Sequence, residues 1–289
     1  MKESVVADFV GRVHTSAIAD EDPVRGRVLL SQRRLVLATA DARTTIPLSA
    51  VFDVVVGTVP GELQSFFSDS VTLAYDDGDG RQTALVEGEP DAMDRFTRVL
   101  FKTLLRDVTV TVRHPETVGG RVTDAPARTA KVSLSSGSIG FVGRSESFSV
   151  DLSAVIDYDR TSRTLAGARR PALLFRHVSD GRTVTSIAAV PDERTLNVLG
   201  RYLRLEYGEV QAEVEDLDPT AEQLEVLVSI YSAGGEAPIA DVVTGDATRT
   251  SMILEDLRES GLVADGEGGA ALTRKGQMVV TTYLESVNA

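Results

Sequence analysis

Three histidines, no cysteine and one cluster of aspartates are the residues from which a reaction centre or a metal site would have to be built. Without cysteine there is no disulfide, no thiolate nucleophile and no Cys-ligated metal. His14, His114 and His177 stand far apart, with no i,i+4 pair and no adjacent carboxylate motif, so each reads as a structural or surface residue rather than a ligand. Asp76-Asp77-Gly78-Asp79-Gly80 opens like a calcium loop. Glu87 falls at its twelfth position but follows strand residues rather than a helix, so a hairpin turn is the expected reading. No Gly-rich phosphate loop precedes a helix, and no Gly-x-Ser-x-Gly elbow occurs. Neither catalysis, a metal nor a cofactor is expected, and the chain reads as a non-enzymatic protein.

Binding chemistry is better represented. The formal net charge is −13, from 30 basic and 43 acidic residues, which argues against a general nucleic-acid binder. Against that background the stretch from Asp159 to Arg170 reverses sign, with Arg160, Arg163, Arg169 and Arg170 against one aspartate. It reads either as a solvated loop or as a docking element for an acidic partner or a phosphate. The corresponding stretch Pro60 to Asp69 carries Leu63, Phe66 and Phe67 instead, as a cover for an open barrel end or a docking loop. Lysine is scarce (Lys2, Lys102, Lys131 and Lys275) while aspartate is abundant, which suits a halophile; a GC-rich genome would bias composition the same way.

The elements that must carry these residues are organised by a repeat. Leu48-Ser49-Ala50-Val51-Phe52-Asp53 recurs as Leu152-Ser153-Ala154-Val155-Ile156-Asp157, at an offset of 104. Leu30-Ser31 recurs as Leu134-Ser135, Leu35 answers Ile139, and Leu37 answers Phe141. Each copy holds about seven short β-branched and aliphatic runs followed by one amphipathic helix. In the first copy Asp91 is placed to cap the helix, and Met93, Phe96, Leu100 and Leu104 share one face. In the second the helix after Asp192 carries Leu196, Leu199, Tyr202 and Leu203. That order predicts an α+β chain with two tandem PH-like or GRAM-like β-barrel domains, 1–107 and 108–208. Residues 209–219 are acidic and fit a linker or a solvated extension of the preceding helix; bracketed by Gly208 and Pro219, they are read as a linker.

Residues 220–289 change character. A helix starting at Thr220 stops at Gly234-Gly235, a short helix lies around Ile239 to Val243, and a longer one runs from Thr248 to Glu259. A Gly-rich turn between Val263 and Ala271 and a closing helix over Gln277 to Leu284 complete the order of a winged helix. No run reaches the roughly 18 apolar residues of a membrane span, and the N-terminus lacks a signal pattern, so a cytoplasmic protein without membrane insertion is expected.

The doubled β domain with Leu29-Leu30-Ser31-Gln32-Arg33-Arg34-Leu35-Val36-Leu37 and Thr45-Ile46-Pro47-Leu48-Ser49-Ala50-Val51-Phe52-Asp53, the acidic segment and the terminal winged helix resemble the archaeal taxis protein CheF family. The resemblance covers essentially the whole chain and implies a signal-transduction adaptor for chemotaxis and phototaxis. Such adaptors receive a phosphorylated CheY-like response regulator and relay its signal to the archaellum switch complex. The family offers no catalytic residues to carry over. The resemblance assigns the CheY contact to the winged helix, where Arg249, Met252, Ile253 and Asp256 are the candidate anchors. The arginine stretch is read from its charge alone as a docking element for an acidic surface, on the motor side. A duplicated scaffold often dimerises, which leaves a homodimer open. The rival readings are a winged-helix transcription regulator and a peripheral lipid-binding protein. Residues 220–289 hold four basic and eleven acidic residues, a balance that repels nucleic-acid phosphates.

Overall fold

Val28, Leu30, Leu35, Leu37 and Ile46 are fully buried along three successive strands, and Val36 between two of them is buried as well. These apolar positions fix the first sheet. The computed structural model describes residues 4–15, 23–57, 70–135, 137–179, 182–215, 217–233, 236–238, 247–266 and 269–288. The expected aromatic cover at Phe66 and Phe67, the double glycine at 234–235 and the short helix at 239–243 lie outside them.

The first sheet is built from β1 (Val5–Thr15), β2 (Val24–Ser31), β3 (Arg34–Ala38), β4 (Arg43–Pro47), β5 (Val51–Val56), β6 (Val71–Asp76) and β7 (Arg81–Glu87). Its order is β4-β3-β2-β1-β7-β6-β5, and every pairing is antiparallel. The helix α1 (Pro90–Leu104) follows, burying Met93, Phe96, Leu100 and Leu104 as the spacing predicts. Its N-cap is Glu89 rather than Asp91, because Pro90 takes the first helical position and shifts the start forward.

The second sheet runs through β8 (Thr109–Val118), β9 (Arg121–Val122), β10 (Arg128–Ser135), β11 (Ser138–Gly143), β12 (Ser147–Asp151), β13 (Val155–Leu165), β14 (Ala168–Ser179) and β15 (Arg182–Ala189). With the small β9 set aside, its order β12-β11-β10-β8-β15-β14-β13 is that of the first sheet, strand for strand. Both copies of the repeated hexapeptide form a 3-10 turn (Leu48–Ala50, Leu152–Ala154) leading into the outer strand. The turn is pinned identically: Leu48 donates its N–H to the Arg33 carbonyl (2.8 Å) and Leu152 donates to that of Gly137 (2.9 Å), an offset of 104 at both ends. Ile139 and Val155 are buried like their counterparts, whereas Leu134 is half-buried.

The expected closed barrels are not formed. Among the described residues no pairing joins β4 to β5 or β12 to β13, so both sheets remain open. The first hides its apolar face beneath α1 instead of rolling shut. The arginine stretch is also not a loop: Arg160 and Arg163 lie in β13, and Arg169 and Arg170 in β14, joined by the two-residue turn Ala166-Gly167. Both turn residues have positive φ (51° and 80°), the geometry that matches the twist of a tight hairpin.

The helix α2 (Glu193–Glu215) extends through Gly208, so residues 209–215 of the expected linker are its last turns. The run Glu-Val-Gln-Ala-Glu-Val-Glu is rich in good helix formers, and one interior glycine costs only about 1 kcal/mol. By compactness the chain forms two units. One comprises Met1–Val108, Val132–Leu134 and Val190–Leu203; the other Thr109–Lys131, Ser135–Ala189 and Arg204–Ala289. In the first, Tyr202 of α2 packs on Phe101 of α1, with ring centroids 5.8 Å apart.

The last segment contains α3 (Ala221–Ser232), β16 (Glu236–Ala237), α4 (Ala247–Glu259), β17 (Val263–Gly266), β18 (Gly269–Leu272) and α5 (Arg274–Asn288). Thr220 caps α3 through a reciprocal bond with Gln223. Where a two-stranded wing is expected, β17 and β18 form an antiparallel hairpin, and β16 adds a third strand. Leu227, Ile230, Leu254, Leu257, Leu262 and Val280 form the core. No helix among the described residues is long and apolar enough to cross a membrane.

Candidate interaction surfaces

The aspartate cluster is resolved by its own turn. Asp76 Oδ1 accepts from Gly78 N (2.9 Å), and Asp77 Oδ1 accepts from Asp79 N and Gly80 N (both 3.0 Å). Those carboxylate oxygens are engaged in closing the β6–β7 hairpin, with Gly78 at φ 95°. Among the described residues no group of three or more His, Asp or Glu side chains is placed to hold a metal.

Sequence spacing keeps the histidines apart, but β8, β14 and β15 bring two together. Their rings stack 6.0 Å apart, and Ser186 Oγ lies 2.7 Å from His114 Nδ1 and 3.1 Å from His177 Nε2. One hydroxyl proton serves one nitrogen, so with both rings neutral one accepts from Ser186 and the other donates to it. His114 also lies flat on Phe148, at 3.9 Å and 5°. Burial, then the neighbouring His177, lowers the His114 pKa to about 4. A depressed histidine pKa costs the folded state nothing while the unfolded chain is also neutral, and destabilises it once the unfolded chain takes up the proton. Stability should therefore be full above pH ~6.5 and fall towards pH 4 as only the unfolded chain gains the proton. We expect a loss of about 1–2 kcal/mol across that window, allowing for solvent at the half-buried ring, and a flatter slope in His114→Gln. Denaturant titrations at pH 7 and 4.5 measure both.

Beside this cluster a pocket of about 220 Å³ is lined by His114, Phe141, Phe148, Arg128, Arg144 and Glu146, among others. Arg128 and Glu146 form an ion pair there, which leaves Arg144 as the remaining charge of its wall.

The arginine hairpin divides its four cations between two faces. Arg163 stands directly opposite Arg170, while Arg160 faces Leu173 and Arg169 faces Thr164 on the other side. All four are exposed. Arg163 donates to Thr161 Oγ1 (3.1 Å), and among the described residues neither Arg163 nor Arg170 has a carboxylate partner.

On α4 the predicted anchors separate. Met252 is 66% exposed and Asp256 is exposed. Ile253 turns inward and packs against the core of its segment. Arg249 is held by Glu222 of α3, its Nε 3.0 Å from the carboxylate. Arg258, the other arginine of α4, binds Asp265 (3.0 Å) and Glu255. Both arginines of this helix are thus neutralised by neighbouring carboxylates, and its outer face shows Glu255, Asp256 and Glu259.

Sequence reading missed a clamp in the first unit. Asp53, in the repeated hexapeptide, receives a two-pronged bond from Arg201 of α2 (both contacts 3.0 Å). That bond raises the Arg201 pKa further and keeps it charged. One helical stretch earlier, Arg194 donates to the carbonyls of Leu48 and Val51. The equivalent Asp157 pairs with Arg176 on the neighbouring strand (3.2 Å). The repeat made Asp53 visible in sequence, but not its partner 148 residues away.

Comparison with known proteins places these features. Residues 5–209 match the family described as Archaeal Chemotaxis signal transduction system protein F. The chain is 41% identical over 288 residues to Taxis protein CheF2 of Halobacterium salinarum, covering the whole of both. It is 26% identical over 240 residues to Taxis protein CheF1 of the same organism, covering 81% of this chain and 79% of that one.

Proposed function

We propose that this chain, which belongs to the archaeal chemotaxis signal transduction system protein F family, is a non-enzymatic cytoplasmic adaptor. It would bind a phosphorylated CheY-like response regulator and relay the signal to the archaellum switch complex. The observation that carries the reading is the full-length likeness to a taxis protein, which spans the repeats and the last 80 residues alike. The two identical strand orders, each followed by a helix, support PH-like modules, and α3 to α5 with their three short strands support a winged helix.

Charge supports a protein partner for that last segment. A winged helix that reads DNA offers cations to phosphates from its recognition helix. Here the two arginines of α4 already hold carboxylates, and the remaining outer charges are acidic. The acidic, lysine-poor composition is in keeping with a halophilic cytoplasm.

The test is calorimetry of the intact protein in high salt, titrated with a phosphorylated CheY-like receiver and, separately, with archaellar switch proteins. Saturable binding of both is expected, and binding of neither would refute the adaptor. The arginine hairpin is assigned to the motor side. Reversing Arg169 and Arg170 to glutamate should weaken binding to the switch component severalfold while the melting temperature and receiver binding stay unchanged. Unaltered motor binding would leave the hairpin as solvated surface.

A further inference from the structure

β13 is the outermost strand of its sheet. Over its 11 residues it pairs only with β14, so one row of its backbone N–H and C=O groups faces outward. The corresponding strand of the first sheet is protected where it begins, since Arg194 takes the Val51 carbonyl. Exposed strand edges invite another strand unless charge or shape forbids it.

The charges on β13 select rather than forbid. They are segregated along the strand: Asp157 and Asp159 come first, Arg160 and Arg163 last. An antiparallel partner with the same sequence meets this order in reverse. Asp159 is exposed, makes no ion pair among the described residues, and has the apolar Leu174 opposite it on its inner side. Arg163 has Arg170 opposite on its inner side, a like-charge pair that costs energy as it stands. Among the described residues Asp159 lacks a cation and Arg163 lacks an anion, and both lie on the same face of the strand.

We infer that this edge joins a second copy of the chain, β13 to β13, about a two-fold axis normal to the sheet. Such an axis keeps each face aligned, so only residues of the same face can stand opposite one another. Setting Thr161 opposite Thr161 of the second copy places Asp159 opposite Arg163 twice. It puts Arg160 opposite Ser162 and leaves Asp157 with its existing partner Arg176. Sliding by one step in one direction sets Arg160 against Arg160 and brings Arg163 to Asp157, which Arg176 already holds; one step the other way sets Asp159 against Leu165. Either slide leaves Asp159 of both copies without a cation. The register is therefore fixed by charge, and the two sheets become one continuous sheet. This inference is independent of the adaptor reading.

Light scattering coupled to size exclusion should give twice the 30.9 kDa of the chain. Asp159→Arg and Arg163→Asp should each raise the dimer dissociation constant about tenfold or more, because both pairs become repulsive. An equimolar mixture of the two variants should recover the dimer, as should the double variant carrying both changes in one chain. Because the chain has no cysteine, Thr161→Cys should cross-link to its counterpart with a short bis-maleimide. A monomeric wild type, a dimer indifferent to both reversals, reversals that mixing fails to rescue, or no Thr161→Cys cross-link would each overturn the inference.

Discussion

Leu35→Ala and Ile139→Ala are each expected to lower the free energy of unfolding by about 2–5 kcal/mol. The two positions are repeat equivalents, and both side chains have no exposed surface. Leu35 lies in β3, opposite Leu30 on one side and Ile46 on the other, and both neighbours are also fully buried. Ile139 stands opposite Val150, next to the Phe141 position where three aromatic rings meet. Truncation removes three methyl or methylene groups from water-free surroundings and leaves a cavity that β-sheet neighbours cannot collapse into. By contrast Leu134→Ala, at a half-buried site, should cost clearly less than its fully buried repeat partner Leu30→Ala. Denaturant unfolding of the four variants measures this. Losses at Leu35 and Ile139 below about 1 kcal/mol would mean that the equivalent positions are not core.

The duplication was readable because packing constrains it in both copies. Leu48 and Leu152, with Val51 and Val155, are buried in the same turn and strand, so their residue types persist where loops drift. The helix face of Met93, Phe96, Leu100 and Leu104 was readable for the same reason. Whether a sheet closes is decided by pairing between strands distant in sequence, and periodicity along one strand carries no trace of it. The arginine hairpin was hidden because Thr, Ser and Arg at successive positions show no apolar alternation; the Gly167 after Ala166 was the available signal. The helix through residues 209–215 was masked by its flanks, Gly208 and Pro219, although its interior favours a helix. Nothing in spacing could join His114 to His177 or Asp53 to Arg201, since each pair is assembled only when separate elements meet. Of the α4 anchors, the heptad-like spacing of Arg249, Met252 and Asp256 kept them on the outside, whereas Ile253, one position after Met252, is turned onto the core.

Replacing Met252 with glutamate is expected to weaken binding of the phosphorylated CheY-like receiver by at least about tenfold, or about 1.4 kcal/mol. Met252 is among the most exposed large apolar side chains among the described residues, and it stands on a helix whose opposite face is locked by Leu254, Leu257 and Ile253. A flexible thioether on a rigid support suits a contact that must form and release. Arg249, one turn before it, is fixed in place by Glu222, and Asp256, one turn after, is exposed, so a partner would meet an apolar centre with an acid on its rim. Introducing glutamate removes that centre and adds a fourth acid to a face that already shows Glu255, Asp256 and Glu259. The side chain makes no contribution to the core, so the melting temperature should not move, and Met252→Leu should retain most of the affinity. Calorimetry with the intact variants measures the binding, and a gel-shift with genomic fragments tests the transcription alternative in parallel. Wild-type affinity in Met252→Glu, or a sequence-specific DNA shift by the unaltered protein, would remove α4 from the receiver contact. The expected pattern would locate recognition on a helix whose own arginines are held by carboxylates, which excludes phosphate and leaves a protein surface as the ligand that its chemistry admits.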